Sequence, residues 1–96
     1  MSQAFQLPER LTVSNASDLL EAACKAVDAG LREFDLAGLK RVDSAAVALL
    51  LGVQRHAQKQ SLPLSFINIP VNLQSLITLY GVDELLPITA LQGNAD

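Results

Sequence analysis

The stretch that most constrains this chain is Val42-Asp43-Ser44-Ala45-Ala46-Val47-Ala48-Leu49-Leu50-Leu51-Gly52, together with the residues that follow it to Gln60. Asp43 and Ser44 are both good N-cap residues, because a side-chain oxygen there can accept backbone N–H groups that the first helical turn leaves unpaired. Beyond them the chain runs for about four turns without proline, until Ser61-Leu62-Pro63 ends the pattern. With Val47 as origin, Leu50, Leu51, Gln54, Ala57 and Gln58 share one side, at the i, i+3, i+4 spacing of a packed face. The other side carries Ala45, Leu49, Gly52 and His56, flanked by Ala48 and Val53. A solvated helix face is normally charged, and this one acquires charge only at Arg55 and Lys59. The pattern predicts a helix buried in the domain on one side and offered, smooth and small, to a partner on the other.

Around such a helix, 96 residues suffice for one domain with a single modest core. Residues 89–96 read as a flexible tail. A hydrophobic share of 50% with 18% charged residues suits a compact fold and argues against disorder. The formal charge of −3 gives no electrostatic ground for nucleic-acid binding. Cys24, being single, cannot form an internal disulfide, so a cytoplasmic address is expected. No apolar run approaches the length of about 20 residues that spans a bilayer. Met1-Ser2-Gln3-Ala4 lacks the basic and hydrophobic parts of a signal peptide. Attachment to a membrane is therefore expected only through a partner.

Taken in order, residues 4–7 alternate as a short strand that Pro8 limits to an edge or an end, and Arg10-Leu11-Thr12-Val13 continue the extended path. Ser14, Asn15 and Ser17 supply caps for a helix over residues 16–29, with Leu19, Leu20, Ala23 and Val27 on one face and Gly30 as the stop. Cys24 in that helix reads as an inert thiol, since no cation beside it in sequence would activate it. Residues 31–36 alternate as a strand, and residues 37–42 form the loop that delivers the central helix. Lys40-Arg41 reads as a solvated loop pair, with contact to an acidic partner as the alternative. Residues 64–69 make another strand, closed by Pro70. A short helix follows, capped by Asn72, with Leu73, Leu76, Ile77 and Tyr80 inward; Gly81 stops it, and residues 82–86 make a last turn. Strands alternating with helices imply crossovers and parallel pairs. The expected class is α/β, a small mixed sheet with helices packed on one face.

Chemistry is scarce. His56 is the single histidine, so a metal site would need Cys24 and carboxylates to converge on it, and none is expected. A hydrolytic pairing of Ser44 with His56 fails on distance, because the two lie about three turns apart on one helix. Five scattered glycines make no phosphate-binding loop. Asp35 and Asp43 read as a turn former and a cap rather than an acid/base pair. The chain is expected not to be an enzyme and to need no cofactor.

Phe34-Asp35-Leu36, then Val42-Asp43-Ser44-Ala45-Ala46-Val47-Ala48-Leu49-Leu50, then Tyr80-Gly81-Val82 and Leu86-Pro87 together resemble a STAS domain. That is the family of anti-sigma-factor antagonists and of sulfate-transporter tails. The likeness covers roughly residues 5–88 and is most specific at Asp43-Ser44-Ala45-Ala46. It implies a non-catalytic binding module with a mixed sheet and helices on one face. The leading strand usual in the family is absent or fused into residues 4–7.

Two branches of the family differ at the head of this helix. Anti-sigma-factor antagonists carry Asp-Ser-Ser/Thr-Gly, and a partner kinase phosphorylates the second hydroxyl. Ala45 stands at that position, so the phosphate, with its roughly two negative charges, has no acceptor there. The other branch comprises short stand-alone STAS subunits of the Mla phospholipid-transport system of Gram-negative bacteria, with Asp-Thr-Gly-Gly-Leu-Ala-Leu-Leu-Leu. Asp43-Ser44-Ala45-Ala46-Val47-Ala48-Leu49-Leu50-Leu51 is similar in its hydroxyl and its small residues, and Ala57-Gln58-Lys59-Gln60 and Leu79-Tyr80-Gly81-Val82 are similar as well. This resemblance implies a cytoplasmic subunit bound to the ABC transporter ATPase subunit (MlaF-like) at the inner membrane, with no direct membrane insertion. An anti-sigma factor kinase is the alternative partner. The expected contact residues are Asp43, Ser44, Ala45, Ala48, Leu49, Gly52, Val53 and His56.

Overall fold

The computed structural model describes residues 5–86; the tail expected at 89–96 lies outside the described residues. The elements run β1 (Phe5–Gln6), β2 (Arg10–Leu11), α1 (Ala16–Asp28), β3 (Glu33–Asp35), β4 (Arg41–Val42), α2 (Ser44–Gln58), β5 (Ser65–Ile67), α3 (Val71–Leu79) and a 3-10 turn (Asp83–Leu85). Strands β1, β3 and β5 form one sheet in that order, and β2 pairs with β4 in a second small sheet. Every pairing among the described strands is parallel. The reason is topological: a helix stands between each strand and the next one it pairs with, so the chain returns to the same end of the sheet before pairing.

The crossovers β1–α1–β3 and β3–α2–β5 step the same way across the sheet. With the right hand such connections take, both helices fall on one face. Helix α2 packs against α1 on one flank and α3 on the other. Phe5, Phe34 and Phe66 occupy one register row. Their rings meet tilted, at centroid distances of 5.5 and 5.6 Å. Phe34 and Phe66 are buried among Leu11, Leu36, Leu50, Leu73 and Ile77. Because strand side chains alternate, Glu33, Asp35, Ser65 and Ile67 point the other way, exposed or half-buried on the face that no described helix covers.

Local details differ from the sequence expectation where elements are very short. Residues 10–11 leave the path of β1 after Pro8 and pair instead with Arg41–Val42, which had read as loop. Asn15 precedes α1 but does not cap it with its side chain. Its Oδ1 accepts the Thr12 N–H and its Nδ2 donates to the Arg10 carbonyl, closing the turn before the helix. Helix α3 starts after Pro70 rather than at Asn72. Leu73 and Ile77 are buried there, whereas Tyr80, expected inward, is half exposed.

Candidate partner-binding surface

The β2–β4 ladder sets the start of α2. Leu11 pairs with Val42, so the next residues on each strand, Thr12-Val13 and Asp43, emerge side by side. Asp43 has extended backbone angles (φ −136°, ψ −167°) and caps the helix by accepting the Ala45 N–H at 2.8 Å on Oδ1. Its Oδ2 accepts the Val13 N–H at 3.2 Å. One carboxylate thus joins the helix start to the β2–α1 turn. Ser44 is the first helical residue and is exposed. Its hydroxyl makes no hydrogen bond among the described residues, so the cap is Asp43 and the Ser44 Oγ is free.

The remaining expected contact residues divide. Ala48 is exposed and Ala45 half-buried. Leu49 and Val53, expected on the outer face, lie in the core at 2% and 0% exposure. Gly52 faces α1, where a Cβ would stand 3.1 Å from Leu20 Cδ1. His56 also faces α1, its Nε2 2.8 Å from Asp28 Oδ1, with Gln60 Nε2 donating to the same oxygen at 3.1 Å. The helical phase is therefore rotated from the one expected. The buried stripe runs Ala46, Val47, Leu49, Leu50, Val53, Ala57, and the outer stripe runs Ser44, Ala48, Arg55, Gln58. Leu51, Gln54 and Gln58, expected inward, are half-buried or exposed. Packing on two helices as well as the sheet gives α2 a wide buried arc, which includes positions a single packed face would leave out.

Two exposed residues stand out that sequence reasoning passed over. Val13 and Val71 are 80% and 82% exposed. Val13 is held beside Asp43 through its N–H. Val71 opens α3, whose next residue, Asn72, donates from Nδ2 to the Lys40 carbonyl just before β4. Val13 thus stands beside the helix start, where Ser44 is small, uncharged and exposed, while Val71 lies next to the residue tied to the chain leading into β4. The signal that could have found them is position: each is the apolar residue of a turn or first helical residue with no packed partner at helical spacing. Of the flanking cations, Lys40 lies 3.7 Å from Glu9 in an exposed ion pair, and Arg41 is exposed.

The other titratable groups serve structure. Asp35 Oδ1 accepts from the Ala37 N–H and from Asn68 Nδ2, closing the turn after β3 and holding Asn68 at φ 58°. Asp28 is held below the usual carboxylate range by the hydrogen bonds it accepts from Gln60 and from the His56 ring. The Cys24 thiol is pushed up by desolvation and by the Asp28 charge, which keeps it protonated and unreactive. Among the described residues no group of three His, Cys, Asp or Glu side chains converges as metal ligands would.

A family model described as "Mlab, STAS domain" matches residues 2–87. No curated protein matches the chain. Among solved structures, a Thermotoga maritima protein described as an anti-sigma factor antagonist superposes with a TM-score of 0.73 at 13% identity, covering 85% of this chain and 74% of that one. At that identity the likeness speaks for the fold. With the whole described length inside the family match and the same fold in a distant structure, the chain belongs to the STAS domain family.

Proposed function

We propose that this chain is a non-catalytic subunit that docks, through the start of α2, on the ATPase subunit of an ABC phospholipid transporter of the kind that maintains outer-membrane lipid asymmetry. It works in the cytoplasm, held at the inner membrane by that partner; no helix among the described residues is long and apolar enough to cross a membrane. The observation that carries the reading is the surface at Ser44 and Ala48: exposed, uncharged, and beside the exposed Val13 at the helix start. Small side chains let another backbone approach closely, and exposed apolar residues at such a spot mark a contact surface. A lasting subunit contact tolerates more apolar surface than a reversible one. The MlaB label of the matching family model points the same way.

A second reading, an anti-sigma-factor antagonist that switches partners through an anti-sigma factor kinase, draws on one feature: the free, exposed Ser44 hydroxyl. Ala45 weighs against it, because the hydroxyl that the switching branch modifies is missing there. The test is calorimetric titration of the purified chain against the purified ATPase subunit. Wild type should bind, and Ala48→Glu should bind at least a hundredfold more weakly, about 3 kcal/mol, because its charge enters a desolvated contact. Its melting temperature should hold, since Ala48 is exposed. In parallel, incubation with an anti-sigma kinase and mass spectrometry should show no phosphate on residues 43–46. Absence of ATPase binding together with stoichiometric phosphate on Ser44 would replace the first reading with the second.

A further inference from the structure

Beyond the helix start, α2 carries a second surface left open among the described residues. A groove of about 400 Å³ lies between the C-terminal half of α2 and the 3-10 turn, lined by Leu51, Gln54, Arg55 and Gln58 on one wall and Glu84, Leu85 and Leu86 on the other. Leu85 stands on the turn wall with 60% of its surface exposed, beside a hollow floored by the half-buried Leu51. Arg55 and Glu84 line the same groove, yet neither forms an ion pair among the described residues. Gln54 Oε1 is buried there without a hydrogen-bond donor.

We infer that this groove is a homodimer interface, occupied by a second copy of the same chain. The patch holds a knob and a hole together, and a cation on one wall matched by an anion on the other. Two-fold pairing requires self-complementarity of this sort: residue i meets j, and j meets i. Antiparallel approach of two α2 helices seats each Leu85 against the other copy's Leu51. The same approach sets each Arg55 opposite the other copy's Glu84, forming two equivalent ion pairs around an apolar centre. A small molecule would gain little here, since a ligand site encloses most of its ligand and Leu85, Gln58 and Glu84 are all open to solvent. The interface leaves Ser44 free, because Arg55 stands about 16 Å further along the helix. It does not depend on which partner takes the helix start.

Sedimentation equilibrium of the intact chain over a concentration series tests this. Wild type should pass from monomer to dimer as concentration rises and should dissociate at least tenfold more readily in 1 M salt, where charges are screened over about 3 Å. Arg55→Glu alone faces Glu against Glu, and Glu84→Arg alone faces Arg against Arg, so each should remain monomeric at concentrations that dimerise wild type. An equimolar mixture of the two single variants should associate again, because both ion pairs are then restored across one heterodimer, one in the original sense and one reversed. Unchanged melting of both variants by circular dichroism separates lost association from lost folding, as both side chains are exposed. Wild type that stays monomeric to millimolar concentration, single variants that dimerise as wild type does, or a mixture that stays monomeric while wild type dimerises would each overturn the inference.

Discussion

The carboxylate of Asp43 serves two elements at once, and its neighbour Ser44 serves neither. Replacing Asp43 with Ala removes the cap on Ala45 and the tie to Val13 together. The cap is worth about 1 kcal/mol, and loss of the second bond adds to it, so Asp43→Ala should lower the melting temperature clearly. Ser44→Ala should leave melting unchanged, because its hydroxyl bonds to nothing among the described residues. If Ser44 also meets the partner, its affinity should fall about tenfold as a buried polar group across the contact loses its mate. Paired thermal melts and ATPase titrations of the two variants separate the roles; equal melting losses would return the cap to Ser44. At Asp28 the consequence concerns pH. Hydrogen bonds in the fold lower its pKa, so the native state favours the ionised form. Its stabilisation is present above the unfolded value, near 3.8, and fades as pH falls through the lower folded value. Thermal melts should therefore show wild type ahead of Asp28→Asn at pH 6 and the gap narrowing steadily below pH 4. The gap is small, because the carboxylate is exposed.

At the scale of elements, α1 was legible because its signals agree: polar residues before it, one apolar face, and Gly30 after it at φ +116°. The existence of α2 was equally plain, but its phase was not. From Ala45 to Val53 every residue is apolar or glycine, so periodicity has nothing to fix a face with, and the packing of α1 and α3 decides it. That is why Leu49 and Val53 were placed outward and lie inward, and why half of the expected site dissolved into the core and the α1 interface. The β2–β4 pairing escaped notice, with residues 10–11 read as a continuation of the first strand and 41–42 as loop, because two residues each carry no alternation to read. The corrected phase makes two expectations. Leu49→Asp should unfold the domain rather than merely weaken binding, since an unpaired charge in the core costs several kcal/mol; a folded Leu49→Asp by circular dichroism would restore the first phase. Gly52→Ala sets about 1 kcal/mol of helix propensity against a Cβ 3.1 Å from Leu20 Cδ1. That atom is the far end of a flexible, half-buried side chain that can yield a few tenths of an ångström, so chemical denaturation should show a small net gain. A loss would mean that Leu20 is locked by its neighbours.

For the whole molecule, three neighbouring parallel strands with both helical crossovers on one face leave the sheet, among the described residues, sealed on one side only. The aromatic row Phe5–Phe34–Phe66 forms the seam between sheet and helices, and the adjacent Glu33 and Asp35 look out from the bare side. Stability must then come almost wholly from the helix-covered face. Phe34 is 1% exposed and touches both other rings. Phe34→Ala should accordingly cost about 3–5 kcal/mol, a large part of the 5–15 kcal/mol expected of a domain. One residue away, Glu33→Ala removes a solvated side chain from the open face and should stay within about 0.5 kcal/mol of wild type. Urea denaturation of the two variants reads the contrast directly. Comparable losses would mean that the outer face of the sheet is also covered in solution, and the one-sided architecture would have to be given up.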